Sequence, residues 1–393
     1  MSRAPLADPT EAQPRQIRTR RLLDFRVPVA VIGTGTVGKA LLGQLRRRQD
    51  LAGASPWPLQ LAAVANSRSM RFDPQLLDGC DWVNGVLEGE ATELGRFVRR
   101  VARDATVAPV IVDLTASSEV AKLHAGWLRS GLRVVTANKL ALAGRQSDYD
   151  ALQAAATGGR YGYETTVGAA LPVIQTVRDL WLTGDCVTRI QGILSGTLSF
   201  LFKEYDGRRP FSSLVREARV HGLTEPDPRA DLTGQDVARK LLILAREAGF
   251  ALEPEDIKVE SLVPALLAER SASEVAANLT LLDAPLQARL EEAQRGGQVL
   301  RYTAVLEASG RARVGLQAVA PGHNLGTVGY AENVIEITTQ RYQLTPLTIR
   351  GPGAGAELTA AGVLADILKL PDTAHRPGTH GVLFHPHIVD SAG

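Results

Sequence analysis

Cysteine is almost absent: Cys80 and Cys186 are the only two, and no CxxC spacing occurs. That excludes a disulfide framework and a cysteine-based zinc site, and it fits a reducing compartment. Long apolar runs are missing too. None approaches the roughly 18 residues that span a bilayer. The opening MSRAPLADPTEAQPRQIRTRR has no apolar h-region of the kind that marks a secretory signal. Its arginines come with Asp8, Glu11 and Asp24, whereas organelle transit peptides are poor in acids. Residues 1–26 therefore read as a solvated, disordered tail. Neither sign of charge is in excess: 44 Lys and Arg against 42 Asp and Glu leave +2, which gives no electrostatic case for nucleic acid. A soluble, cytoplasmic globular protein is expected, with neither nucleic acid nor membrane as partner.

What is present is an ordinary globular balance, on a chain of 393 residues that suggests two or three domains. The run VPVAVI (27–32) reads as a buried strand, and GTGTVG and the helical spacing of KALLGQLRRR follow it. Further strands are expected at 59–66, 109–117 and 132–139, with a helix at about 118–130. Strands alternating with helices over 27–160 predict a Rossmann-type, doubly wound parallel sheet. Over 161–340 the pattern changes to longer helices and alternating strands at 301–308, 312–319 and 333–340, which predicts an α+β domain built on a mixed sheet. Residues 341–371 read as a strand, a glycine-rich turn and a helix that return to the first domain. Residues 372–393, with Pro, Gly and four of the seven histidines, read as a second disordered tail.

Gly33, Gly35 and Gly38 form GxGxxG between a strand and a helix. The first permits a tight turn, the second lets backbone approach a pyrophosphate, and the third lets helix and strand pack closely. The helix start that follows offers unpaired N–H groups to phosphate. In this βα setting the motif predicts a nicotinamide dinucleotide site made by Gly33, Thr34, Gly35, Thr36, Val37 and Gly38. An NAD-preferring fold carries an acid at the end of the second strand. Here that position reads Ala65-Asn66-Ser67-Arg68, so Arg68 is expected to meet the 2′-phosphate of NADP, with NAD tolerated.

The densest polar cluster is residues 222–249. Pro226 and Pro228 are expected to keep Glu225 and Asp227 on an extended, rigid loop. Thr233 and Asp236 have capping-box-like spacing, so Asp236 caps a helix or serves a site. Lys240 falls at the edge of the apolar stripe of that helix, four residues after Asp236, and reads as a proton donor or as a structural ion pair. Lys139 and Thr115 end neighbouring strands of the first sheet, the edge at which open parallel sheets bind ligands.

GTGTVG, TANK, YETTVGAALPVIQT, ILSGTLSFLF, LTEPDPRADLTGQDVARKLLILARE and GPGAGAELTAAGVLADIL occur in this order over about residues 29–370. Together they resemble homoserine dehydrogenase, most of all the dehydrogenase part of the bifunctional aspartokinase–homoserine dehydrogenases and the fungal enzymes. The resemblance implies reversible NAD(P)H-dependent reduction of L-aspartate 4-semialdehyde to L-homoserine, and a stand-alone homodimer. It implies Lys240 as the catalytic lysine, Lys139 as a lysine on cofactor and substrate, and Glu225, Asp231 and Asp236 as the acids that hold the substrate's amino group and support Lys240. Thr115 and Gly355 match cofactor contacts. Glu164, Val167, Ala169 and Leu171 match a sodium site made mostly of backbone carbonyls. Two positions depart from the family pattern: Leu223 replaces a tyrosine near the substrate, and Leu140 replaces a second lysine. Alternatives are another amino-acid or semialdehyde dehydrogenase, or a non-catalytic dinucleotide-sensing protein.

Overall fold

In the computed structural model, residues 26–49, 59–72, 89–224 and 227–370 are described. Both tails, Cys80 and Glu225 lie outside them. Strand β1 (Val27–Ile32) is central to a seven-stranded sheet, and its Val29, Ala30 and Val31 are wholly buried. Burial on both faces is what a parallel strand between two helix layers requires. The order is β4 (Glu90–Ala91), β3 (Ser69–Phe72), β2 (Leu59–Ala65), β1, β5 (Val110–Asp113), β6 (Arg133–Thr136), β7 (Tyr161–Gly162). From β2 to β7 all pairs are parallel; β3 and β4 add an antiparallel edge.

Side chains alternate between two cores, as the pleat dictates. Val29, Val31, Val110, Val112 and Val135 pack with Leu41, Leu42 and Leu45 of helix α1 (Thr36–Gln49) on one face. Ala30, Ile32, Ile111 and Val134 face the other way, into a core shared with Phe97, Trp127 and the second domain. The helix expected at 118–130 is two short pieces, Ser118–Ala121 and His124–Arg129; the Leu123 N–H bonds the Val120 carbonyl, a tightened turn that breaks the run.

The second sheet has the order β13 (Leu347–Pro352), β12 (Glu332–Thr339), β8 (Val187–Ile193), β10 (Val299–Glu307), β11 (Ala312–Val319), β9 (Ile257–Val259). Only the β9–β11 pair is parallel, so the sheet is mixed. Helices α2 (Gly196–Glu204) and α3 (Gln235–Glu247) pack against β10.

Two boundaries differ from expectation. β7 belongs to the first sheet although it lies just past residue 160. β13 does not return to the first domain: it pairs with β12 from Leu347 to Pro352. Only the following helix, α4 (Ala356–Lys369), crosses back, and it docks on α1. There Gln44 Nε2 donates to the Glu357 carbonyl and carboxylate, both at 2.9 Å. The turn Gly353–Gly355 thus carries the chain from one domain to the other.

Candidate active site

The glycine turn is built as its spacing requires. Gly33 sits at φ +109°, and a Cβ there would stand 2.9 Å from the Leu114 backbone. A Cβ on Gly38 would overlap the Gly33 carbonyl, so α1 closes onto the turn only with glycine present. At Gly35 nothing lies within 4 Å, which leaves the backbone and the start of α1 open to a ligand. These are the features a dinucleotide pyrophosphate needs, and the residues fit that cofactor.

A cleft of about 960 Å³ runs from this turn to the second domain. Thr36 and Val37 line one end, with Thr115 and Lys139 at the strand ends beside them. Asp231, Asp236 and Lys240 come from the second domain, and Gly355 from the crossing turn. Distant parts of the chain therefore meet where the carboxyl ends of β1, β5 and β6 face α3. Gly33, Thr34, Gly35, Gly38 and Arg68 are not part of this lining; Thr34 and Gly35 border an adjoining cleft of about 630 Å³. Arg68 is exposed on the loop after β2, its N–H donating to Asn66 Oδ1 at 2.8 Å. Asn66 in turn reaches Thr34 Oγ1 at 3.4 Å, so the loop is joined to the glycine turn.

Asp236 organises the cationic groups. Its Oδ2 lies 2.8 Å from Lys240 Nζ and its Oδ1 lies 3.3 Å from Lys139 Nζ. Lys240 is buried, and its Nζ also donates to the Leu194 carbonyl at 2.7 Å. An ammonium has three donors; two are used here, which leaves one for a ligand in the cleft. Burial pushes the Lys139 ammonium below its ordinary value, and repulsion from Lys240 and Arg239 adds to that, against the attraction of Asp236. Burial alone would raise the Asp236 carboxyl, but the two lysines hold it well below the usual carboxylate range.

The capping-box reading of Asp236 is corrected. α3 starts at Gln235 behind Gly234, which has φ +71° and gives no side-chain cap, while Thr233 closes the preceding short helix Arg229–Leu232. A Cβ on Gly234 would overlap the Tyr302 hydroxyl, so a glycine is required here and Asp236 is released to the cleft. In the described part of the loop before it, Asp227 and Pro228, the chain is not extended either. Asp227 folds back onto Arg229 at 2.6 Å, and Pro228 is helical. That ion pair holds the Asp227 carboxyl below its ordinary value. Nor does Lys240 mark the edge of a narrow apolar stripe: α3 is buried almost all round from Val237 to Arg246. Leu223 packs against the core, and its carbonyl accepts from Thr197 Oγ1 at 2.7 Å.

Beneath the first-domain half of the cleft lies Asp113, which the sequence reading did not single out. Its Oδ1 accepts the N–H and hydroxyl of Thr115 at 2.8 and 2.7 Å. Its Oδ2 lies 3.0 Å from both Asn138 Nδ2 and His124 Nε2. Asn138 caps the turn that carries Lys139, accepting from Leu140 N at 3.1 Å. Only its place as the last residue of an apolar strand, two before Thr115, signalled it.

Glu164 caps a helix. Its carboxylate accepts the N–H groups of Ile174 and Gln175 at 2.7 and 2.9 Å, at the start of the helix Val173–Leu182. Burial raises its carboxyl above the ordinary value. Val167 and Ala169 are buried, and Ala169 has φ +54°, which re-aims the backbone between them and Leu171. Among the described residues no cluster of His, Cys, Asp or Glu is placed to hold a metal.

A family model described as homoserine dehydrogenase matches residues 172–368, and one described as its NAD binding domain matches residues 33–163. The chain belongs to the homoserine dehydrogenase family. A bifunctional aspartokinase/homoserine dehydrogenase of Zea mays is 42% identical over 350 residues, 87% of this chain and 38% of that protein. The chain thus spans little more than a third of such relatives. The homoserine dehydrogenase of Emericella nidulans is 37% identical over 365 residues, which cover 87% of this chain and 97% of that one. A hyperthermophilic archaeal homoserine dehydrogenase in complex with NADPH shares the fold, with a TM-score of 0.66 at 21% identity over 88% of this chain and 99% of the other. Membership of this family disfavours a non-catalytic sensor. No described helix is long and apolar enough to cross a membrane.

Proposed function

We propose that this protein catalyses the reversible NAD(P)H-dependent reduction of L-aspartate 4-semialdehyde to L-homoserine, a step toward threonine and methionine. The observation that carries this reading is the meeting of Lys139, Lys240 and Asp236 in one cleft, facing the open glycine turn. The dinucleotide, when bound, supplies the hydride. Lys240 places a proton on the oxygen of the reduced carbonyl, using the one N–H not engaged by Asp236 or Leu194. Asp236 holds both ammonium groups in place. Asp231, on the cleft wall, takes the substrate's amino group, a role the family pattern also gives to Glu225. Lys139 offers charge to the substrate's polar end and to the cofactor, beside Thr115 and Gly355. Holding both reactants in one cleft supplies much of the acceleration.

NADP is the preferred cofactor in this reading, supported by Arg68 and by the lack of an acid at the end of β2. A sodium ion on the carbonyls of Glu164, Val167, Ala169 and Leu171 is included, on the strength of their neutral oxygen donors. A homodimer is included as well: wholly exposed Leu344 lies two residues from Tyr342, 41% exposed, an apolar pair suited to burial against a second copy. Cys186, free among the described residues, supports a cytoplasmic setting. Following absorbance of the reduced cofactor with homoserine and either NADP+ or NAD+ tests the central reading. Turnover with homoserine is expected; cofactor binding without turnover would reject it.

A further inference from the structure

Asn333 has no exposed surface, yet neither its Nδ2 nor its Oδ1 has a hydrogen-bond partner among the described residues. Buried amides are almost always paired, because burying an unpaired one forfeits its bonds to water. The amide lies directly against Gly353: a Cβ on that glycine would overlap it. Gly353 opens the turn by which the chain leaves β13 and enters α4, and Gly353, Ala354 and Gly355 line the cleft. Gly355 has φ +124°, a backbone state open to glycine. A polar side chain carrying both a donor and an acceptor is thus pressed against the link between domains, beside the cleft proposed for the cofactor.

We propose that Asn333 is a latch for the interdomain turn, pairing its amide with the backbone of Gly353–Gly355 when a nicotinamide dinucleotide draws the two domains together. It is a positioning residue, since it touches the turn and not the reacting atoms. Closing a cleft by adjusting a few glycine dihedrals needs a contact that favours the closed arrangement. The Asn333 donor and acceptor supply it. The proposal rests on the reading that this cleft binds a nicotinamide dinucleotide.

The test compares wild type, Asn333→Leu and Asn333→Ala by NADPH titration, thermal unfolding with and without NADPH, and amide hydrogen exchange. Without NADPH, Asn333→Leu is expected to melt at or above the wild-type temperature, since no hydrogen bond is lost. Its NADPH Kd is expected to rise about tenfold, and the melting-temperature gain from NADPH to shrink. In the wild type, NADPH is expected to slow exchange over residues 353–359, and in both variants to slow it less. If Asn333→Leu does not fold, Asn333→Ala and the wild-type exchange decide. Wild-type affinity in the variants, equal protection of 353–359, or a crystal structure with Asn333 bonded to the same waters with and without NADPH would overturn the latch. A wild type that binds no NADPH would instead remove the cofactor reading beneath it.

Discussion

Lys240 Nζ stands 2.8 Å from Asp236 Oδ2, one helical turn earlier, while the other oxygen of that carboxylate holds Lys139 from the opposite domain. A single acid therefore ties together two cations that the chain separates by a hundred residues. Only Lys240 is also fixed by a backbone carbonyl, so its remaining N–H has a set direction. Lys240→Ala is expected to lower kcat by about 10²–10⁴, the usual worth of a placed proton donor. The dissociation constant for the dinucleotide should stay within about twofold. Steady-state rates with homoserine, together with a cofactor titration, check both; near-normal turnover would end the proposed role.

The same carboxylate sets the pH behaviour. Lys139 titrates below an ordinary lysine because of burial, and the attraction of Asp236 opposes that fall. If activity needs Lys139 protonated, the alkaline limb of kcat/KM lies below the ordinary lysine range. Asp236→Asn removes the opposing anion, so the ammonium loses its proton more easily still. The limb is expected to move to lower pH by about one unit or more, the usual effect of an adjacent opposite charge. A pH profile of the variant decides: a limb that stays put, or moves up, contradicts the assignment.

How much of this was written in the residues depends on the range of the interaction. β1, the glycine turn and β10–β12 were legible because local periodicity and glycine spacing determine them. Lys139, Lys240 and Asp236 stood out by their places at a strand end and on one helix, Asp231 only through the family's strings, and the structure brings all four to one cleft. What misled was competition from distant groups. Asp236 reads as a helix cap or a site residue, and the cap is excluded only because Gly234 takes the turn beneath Tyr302, 68 positions away. β13 reads as part of the first domain, since nothing within it reveals β12 as partner. Asp113 showed only as a strand end, because its role consists of contacts to residues up to 25 positions on.

Asp113 supports its own prediction. One buried carboxylate accepts from Thr115, Asn138 and, through Oδ2, meets His124, whose Nδ1 lies 3.1 Å from the Tyr161 hydroxyl. Asp113→Asn replaces one acceptor oxygen with an NH2 group, so a donor then faces donors whichever way the amide turns. The expected cost is about 2–4 kcal/mol in unfolding free energy, the range for leaving buried polar groups unpaired. Because Thr115 and the Lys139 turn are both released, KM for the cofactor should rise as well. Denaturant unfolding and steady-state kinetics measure the two effects; a variant with wild-type stability and KM would show that the network holds nothing.

In the proposed reading, Arg68 tells apart two cofactors that differ by one phosphate. Its guanidinium is exposed on a loop joined through Asn66 to the glycine turn, so it is free to meet a 2′-phosphate but is screened by water and salt. A charge-assisted pair in that setting is worth about 1–2 kcal/mol, near a tenfold change. Arg68→Ala is therefore expected to lower kcat/KM for NADP+ about tenfold while leaving that for NAD+ within about twofold. Raising the ionic strength should shrink the wild-type preference and leave the variant's ratio almost unchanged, since screening acts on the pair the variant lacks. Equal losses with both cofactors would mean that the side chain supports the loop and does not read the phosphate.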